Sequence, residues 1–199
     1  MHLVFDIFQG IGIAAALGIR PFLPALAAGA LAAGNVEINF DHTDYSFLES
    51  VPFLLAMAIA AGILLVLERR LSGATGRPQP PPALVYALGA IGIVLGALFF
   101  AGALAHHHHA AWPGYLGGVL CAVIAILASR PLFTRVRARL DASTLGTLPF
   151  FIEAAAFALG ALSVIAPPVG PIALALLLWL LFAGRRREGQ KYAGLRILR

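Results

Sequence analysis

Apolar residues run through this chain in six long stretches, at about 9–33, 51–67, 83–105, 112–129, 148–166 and 168–183, parted by short polar gaps. Most reach the ~17–25 residues that an α-helix needs to cross about 30 Å of hydrocarbon. The last stretch is the shortest and suits a locally thinned bilayer. Helix is the required conformation, because an open strand leaves its backbone groups unpaired in lipid. The pattern predicts an all-α polytopic membrane bundle of about six transmembrane helices. Trp112 and Trp179 fall near stretch ends, where indole rings anchor at the interface.

The basic residues sort by gap. Residues 34–50, 106–111 and 167–171 carry no Lys or Arg. The alternate gaps hold Arg69, Arg70 and Arg77, then Arg130, Arg135, Arg137 and Arg139, then the tail Arg185, Arg186, Arg187, Lys191, Arg196 and Arg199. Cations in every second gap place those gaps, and with six spans both chain ends, on the cytoplasmic side. Only Arg20 breaks the pattern, from within an apolar stretch.

Composition agrees. The chain has 199 residues, 60% hydrophobic and 12% charged, against roughly 25% charged in soluble domains. Its length fits a single integral membrane domain over 1–199, with halves at 1–105 and 106–184 and a basic tail at 185–199. The net charge of +5 is confined to short gaps and the tail. It reads as topology signals and contacts for anionic lipid headgroups, not a nucleic-acid footprint. Cys121 stands alone, so no intrachain disulfide forms. The first stretch lacks a basic start and contains Asp6 and Arg20, unlike a cleavable signal peptide.

The two halves share an order of motifs. Arg20-Pro21-Phe22-Leu23 is answered by Arg130-Pro131-Leu132-Phe133, Val51-Pro52-Phe53 by Leu148-Pro149-Phe150, and Pro81-Pro82 by Pro167-Pro168. Three spans per half would insert the halves upside-down to each other, as a 3+3 inverted repeat.

Gly18 to Pro24, G-I-R-P-F-L-P, carries the most chemistry. Pro21 and Pro24 remove backbone donors and disfavour helix before them, so the first helix is expected to break at Arg20-Pro21. A guanidinium in lipid needs shelter, and its fork of donors suits carboxylate or phosphate. Arg20 is therefore expected either as an anion contact, flanked by Gly18 and Pro21, or as an internal tie. Glu153 is a second intramembrane charge, read as a proton or counter-charge site or as a salt-bridge member, with Arg20, Arg130 or Arg135 as partner. Arg130 is the expected partner of Arg20 at an inner gate. Asp6 and Glu68 lie at span edges, within reach of interfacial water, and are assigned no chemistry.

Small-residue stripes, such as Gly10, Ala14 and Gly18, allow close helix packing within the chain or across a homo-oligomer. His106 to His109 form an imidazole tract without carboxylate or thiol ligands at metal spacing, so no metal site is expected. Residues 34–50 are acidic and aromatic, fitting either a cap or a solvated connector. The Pro-rich 73–82 segment reads as a semi-rigid linker, and the tail either lies along the inner leaflet or is disordered. No catalytic motif and no cofactor motif is present in the sequence.

The A-A-A-L-G-I-R-P-F-L-P segment, the apolar hairpin after Pro149 and the terminal K-Y-A-G-L-R-I-L-R resemble a bacterial family of small integral membrane proteins, the domain-of-unknown-function family four-one-two-six. The resemblance implies a multi-pass protein of the bacterial inner membrane and carries no activity. The functional expectation is non-enzymatic: a small transporter-like protein handling an anionic solute or lipid headgroup. Its rivals are a non-transporting scaffold and, as a lesser case, an intramembrane lipid-modifying enzyme.

Overall fold

The computed structural model of the chain describes residues 2–75, 81–107, 109–137, 139–140 and 147–193, with only the backbone path for 71–75 and 184–193. The expected rigid linker around Pro78 and Pro80, His108, and the side chains of the basic tail lie outside the described residues. Among the described residues every regular element is helical. The order is α1 (His2–Ile19), α2 (Phe22–Ala33), a 3-10 turn (Ser46–Glu49), α3 (Val51–Thr75), α4 (Pro82–Ala105), α5 (Trp112–Arg137), α6 (Leu148–Ile165) and α7 (Val169–Ala193). Five of these, α1 and α3 to α6, are long and apolar enough to cross a membrane. The chain is thus a multi-pass helical membrane bundle.

The apolar stretch at 9–33 is not one crossing. The N–H of Arg20 still donates to the Ala16 carbonyl at 3.0 Å, closing the last turn of α1. Pro21 has no N–H with which to continue, and α2 starts at Phe22 with Pro24 in its first turn, where a missing donor costs nothing. The chain then runs back. Were α1 and α2 collinear, Ala33 would lie about 36 Å from Gln9 at 1.5 Å per residue. Yet Glu37, four residues past Ala33, offers its carbonyl to Gln9 Nε2 at 3.5 Å. Only an antiparallel α1–α2 hairpin allows that contact.

One expectation changes with the hairpin. Arg20 is not at mid-depth: the 18 residues of α1 span about 27 Å, so Arg20 marks the far end of a complete crossing. Helices α1 and α7 also run in the same direction, so His2 and the end of α7 lie at opposite ends of the bundle. His2 stacks beside His107, with ring centroids 4.8 Å apart. Helix α7 starts with Gly170 against Phe8 and reaches Ala15 by Leu177, parallel to α1. The chain therefore leaves the bundle at the end opposite to His2. Among the described residues, the first half, 1–105, contributes four helices and the second, 106–184, three.

Helix α1 occupies the centre, packed on α4, α5, α6 and α7. Its residues Ile13 to Leu17 are fully buried. Small residues set the spacing: a Cβ on Gly92 of α4 would lie 2.5 Å from the Leu17 carbonyl oxygen. Gly18 faces the backbone of Ala122 with no room for a side chain. The Gly10–Ala14–Gly18 stripe is thus spent on packing within the chain.

Helix α2 has only 12 residues, about 18 Å, and stops short of the end from which α1 starts. The 34–50 segment fills the space above it, burying Ile38, Phe40, Tyr45 and Leu48 against Phe99, Ala101 and Val164. It is a folded cap, not a solvated connector. Around the outside, exposed Leu55, Ile59, Ile63, Val94, Leu116, Leu120, Phe157 and Leu176 form an apolar belt. Trp112 and Trp179 are both exposed, as interfacial anchors would be.

Gly92→Val should lower thermal stability in detergent by about 1–3 kcal/mol or more, since overpacking here meets backbone. Gly62→Ala, at a position with nothing within 4 Å, should leave stability unchanged or raise it by up to about 1 kcal/mol through helix propensity. Equal effects of the two substitutions would contradict the packing of α1 against α4.

Candidate functional site

The described charges sort to the two ends of the bundle. Arg20, Glu68, Arg130 and Arg137 line one cavity at the end where α1 stops. Asp6, Glu37, His106 and His107 line another at the opposite end.

At the first end, Arg20 is the hub. Its Nη1 donates to Glu68 Oε1 at 2.7 Å and its Nη2 to Glu68 Oε2 at 3.0 Å. Two parallel charge-assisted bonds make this the strongest geometry open to the pair. On the other side, Arg20 Nε lies 3.6 Å from Glu153 Oε1, an ion pair without a hydrogen bond. All three side chains are buried: Arg20 is 6% exposed, Glu68 5% and Glu153 1%. One guanidinium thus serves two carboxylates from two helices, α3 and α6. Neither oxygen of Glu153 has a hydrogen-bond partner among the described residues.

The cavity beside this triad measures about 230 Å³. Gly18, Arg20, Pro21 and Arg130 reach it, as do Glu68 and Arg137, with an apolar wall from α4 and α5. Four of the five residues expected to bind substrate therefore meet at one place. The fifth, Glu153, does not line the cavity and faces Arg20 from behind. Of the two roles expected for Arg20, anion contact or internal tie, the filled fork to Glu68 matches the internal tie. Arg130 and Arg137 line the cavity beside Arg20. Arg130 Nη2 donates to the Val85 carbonyl at 3.2 Å, and its guanidinium lies over the Tyr86 ring, 5.6 Å from the centroid. Gly89 leaves room for it: a Cβ there would come within 2.9 Å of Arg130 Nη2.

Arg130-Pro131 does not mirror Arg20-Pro21 in structure. Pro131 sits inside the continuous helix α5, and the Thr134 hydroxyl donates to the Arg130 carbonyl at 3.0 Å. A proline near a helix end is tolerated there, whereas α1 ends before Pro21.

Glu68 and Asp6 were expected to meet interfacial water, and both are buried and paired instead. His107 Nδ1 donates to Asp6, 3.0 Å from each carboxylate oxygen. His106 meets His107 edge-on, with ring centroids 4.4 Å apart and planes at 72°. No group of three or more His, Cys, Asp or Glu among the described residues has the geometry to hold a metal ion. Nearby, Gln9 Nε2 donates to the Val164 carbonyl at 3.0 Å, tying α1 to α6. In the cap, Glu49 accepts the Phe40 N–H at 3.0 Å. Burial nevertheless holds the Glu49 carboxyl above the ordinary carboxylate range.

A faint signal for Glu68 exists in the sequence, as the one acidic residue of an otherwise basic gap. Nothing local marks its pairing with Arg20, 48 positions away. Arg137 was read as a topology signal alone.

No family model, curated protein or solved structure matches the chain.

Arg20→Met should cost about 3–5 kcal/mol of stability, because it strands two buried carboxylates. Glu153→Gln should be neutral or stabilising, since it removes a charge whose oxygens lack hydrogen-bond partners among the described residues. Denaturant unfolding of the detergent-solubilised protein measures both. A large loss in Glu153→Gln together with none in Arg20→Met would reverse the assignment.

Proposed function

We propose that this protein is a transporter-like protein of the bacterial inner membrane that takes an anionic group, a solute or a lipid headgroup, into the cavity between α1, α4 and α5. By the positive-inside rule the basic end faces the cytoplasm, so the N-terminus faces outward. Arg130 is the anion contact. Arg20, Glu68 and Glu153 form the charged floor behind it, and the turn at Arg20-Pro21 holds that floor in place.

The observation carrying this reading is the Arg130 guanidinium on the cavity wall. Glu68 fills the fork of Arg20, and Arg130, with no ion pair among the described residues, reaches the same cavity. A cation in a low-dielectric setting attracts an anion far more than it would in water. The family resemblance noted in the sequence brings no activity and adds nothing to this argument.

The scaffold reading has its own support. Arg20 is fully engaged by carboxylates, and α1 fills the middle of the bundle with close glycine contacts. On that reading the arginines are ties and the cavity takes no ligand.

Ligand-induced thermal stabilisation separates the two. Glycerol phosphate or phosphatidylglycerol at about 100 times its dissociation constant should stabilise the wild type by about 2.7 kcal/mol. Arg130→Ala should abolish that gain with little change in basal stability. If neither probe stabilises the wild type, and Arg130→Ala lowers basal stability instead, the scaffold reading replaces this one.

A further inference from the structure

Resting on the anion reading above, we propose that the ligand is a membrane amphiphile: a phosphate headgroup drawn sideways from the cytoplasmic leaflet, with its acyl chains left outside against α4 and α5. Three observations converge on this class.

The first is depth. Arg20 closes a helix about 27 Å long that starts at His2, so the cavity lies at the level where headgroups meet hydrocarbon. The second is the wall. Arg130 supplies a cationic donor, while Val85, Leu88 and Phe133 supply apolar surface. A free phosphate gains nothing from the apolar side, and an amphiphile uses both. The third is the mouth. Arg130 is held between the Val85 carbonyl and the Tyr86 ring. Tyr86 is 68% exposed and Leu132 37% exposed. The exposed belt therefore runs up to the guanidinium, giving acyl chains a continuous apolar surface.

Size fits the same division of the molecule. A volume of about 230 Å³ holds on the order of ten waters. That admits a phosphate with its neighbouring glycerol atoms but not two acyl chains. Gly89 is the position where the space depends on a missing side chain. Gly89→Leu should both fill the cavity and displace Arg130, without touching the triad.

The test is native mass spectrometry of the purified full chain in detergent, titrated separately with phosphatidylglycerol, diacylglycerol and glycerol phosphate. The wild type should retain phosphatidylglycerol in preference to the other two. Retention should fall about tenfold or more in Arg130→Ala, the loss of one charged hydrogen-bonding group, and in Gly89→Leu. Arg70→Ala, an exposed arginine on α3, should retain the lipid like the wild type and so excludes general attraction to basic residues. Equal retention by Arg130→Ala and the wild type overturns the proposal, as does a loss in Arg70→Ala as large as in Arg130→Ala. Glycerol phosphate bound as tightly as phosphatidylglycerol overturns the amphiphile claim and leaves the anion reading standing. Silence of all three probes overturns both.

Discussion

The bidentate pair between Arg20 and Glu68 holds the largest share of this architecture. Helix α3 is the least enclosed of the long helices, with 17% of its apolar window buried, and packs chiefly on short α2. Glu68 gives it a directional hold at the basic end. The same guanidinium faces Glu153 on α6. One side chain therefore binds the α1–α2 turn, α3 and α6 at a single depth. A charge removed from water is a poor source of net stability, but removing one partner of such a pair is costly. The pair is best understood as fixing where the chain turns.

Turning there explains the one irregularity in the charge pattern. Read as a continuous crossing, the first stretch strands Arg20 in oil, as an exception to an otherwise strict alternation. Once the chain reverses at Pro21, Arg20 joins Arg130 and Arg137 at the basic end and the exception disappears. Asp6 and the histidines gather at the opposite end.

Much of the bundle was legible from the sequence because hydrophobic length is a direct physical requirement of the bilayer. The stretches from Val51 onward correspond to α3, α4, α5, α6 and α7, with starts within a residue or so. The break at Arg20-Pro21 was legible too, since proline acts locally. Its outcome was not. A local rule says that a helix ends, but whether the chain continues or doubles back depends on distant partners: Glu68, Glu153, and the cap that lets α2 stop early by covering it with Phe40 and Leu48. The cavity shows the same division. Arg130, Gly18 and Pro21 were identifiable by type and neighbourhood, whereas the saturation of Arg20 and the arrival of Arg137 follow from helix register across α1, α3 and α5. The Arg130-Pro131 echo misled for a related reason, because the same dipeptide ends a helix at Pro21 and sits inside one at Pro131.

The central claim, a reversal at Arg20 that puts His2 and Arg70 at opposite ends of the bundle, is open to a direct measurement. In a Cys121→Ala background, His2→Cys and Arg70→Cys can each be exposed in intact cells to a membrane-impermeant thiol reagent. The account predicts labelling of His2→Cys from outside, and labelling of Arg70→Cys only after the membrane is permeabilised. Protection of both positions until permeabilisation would place them on one face and contradict it.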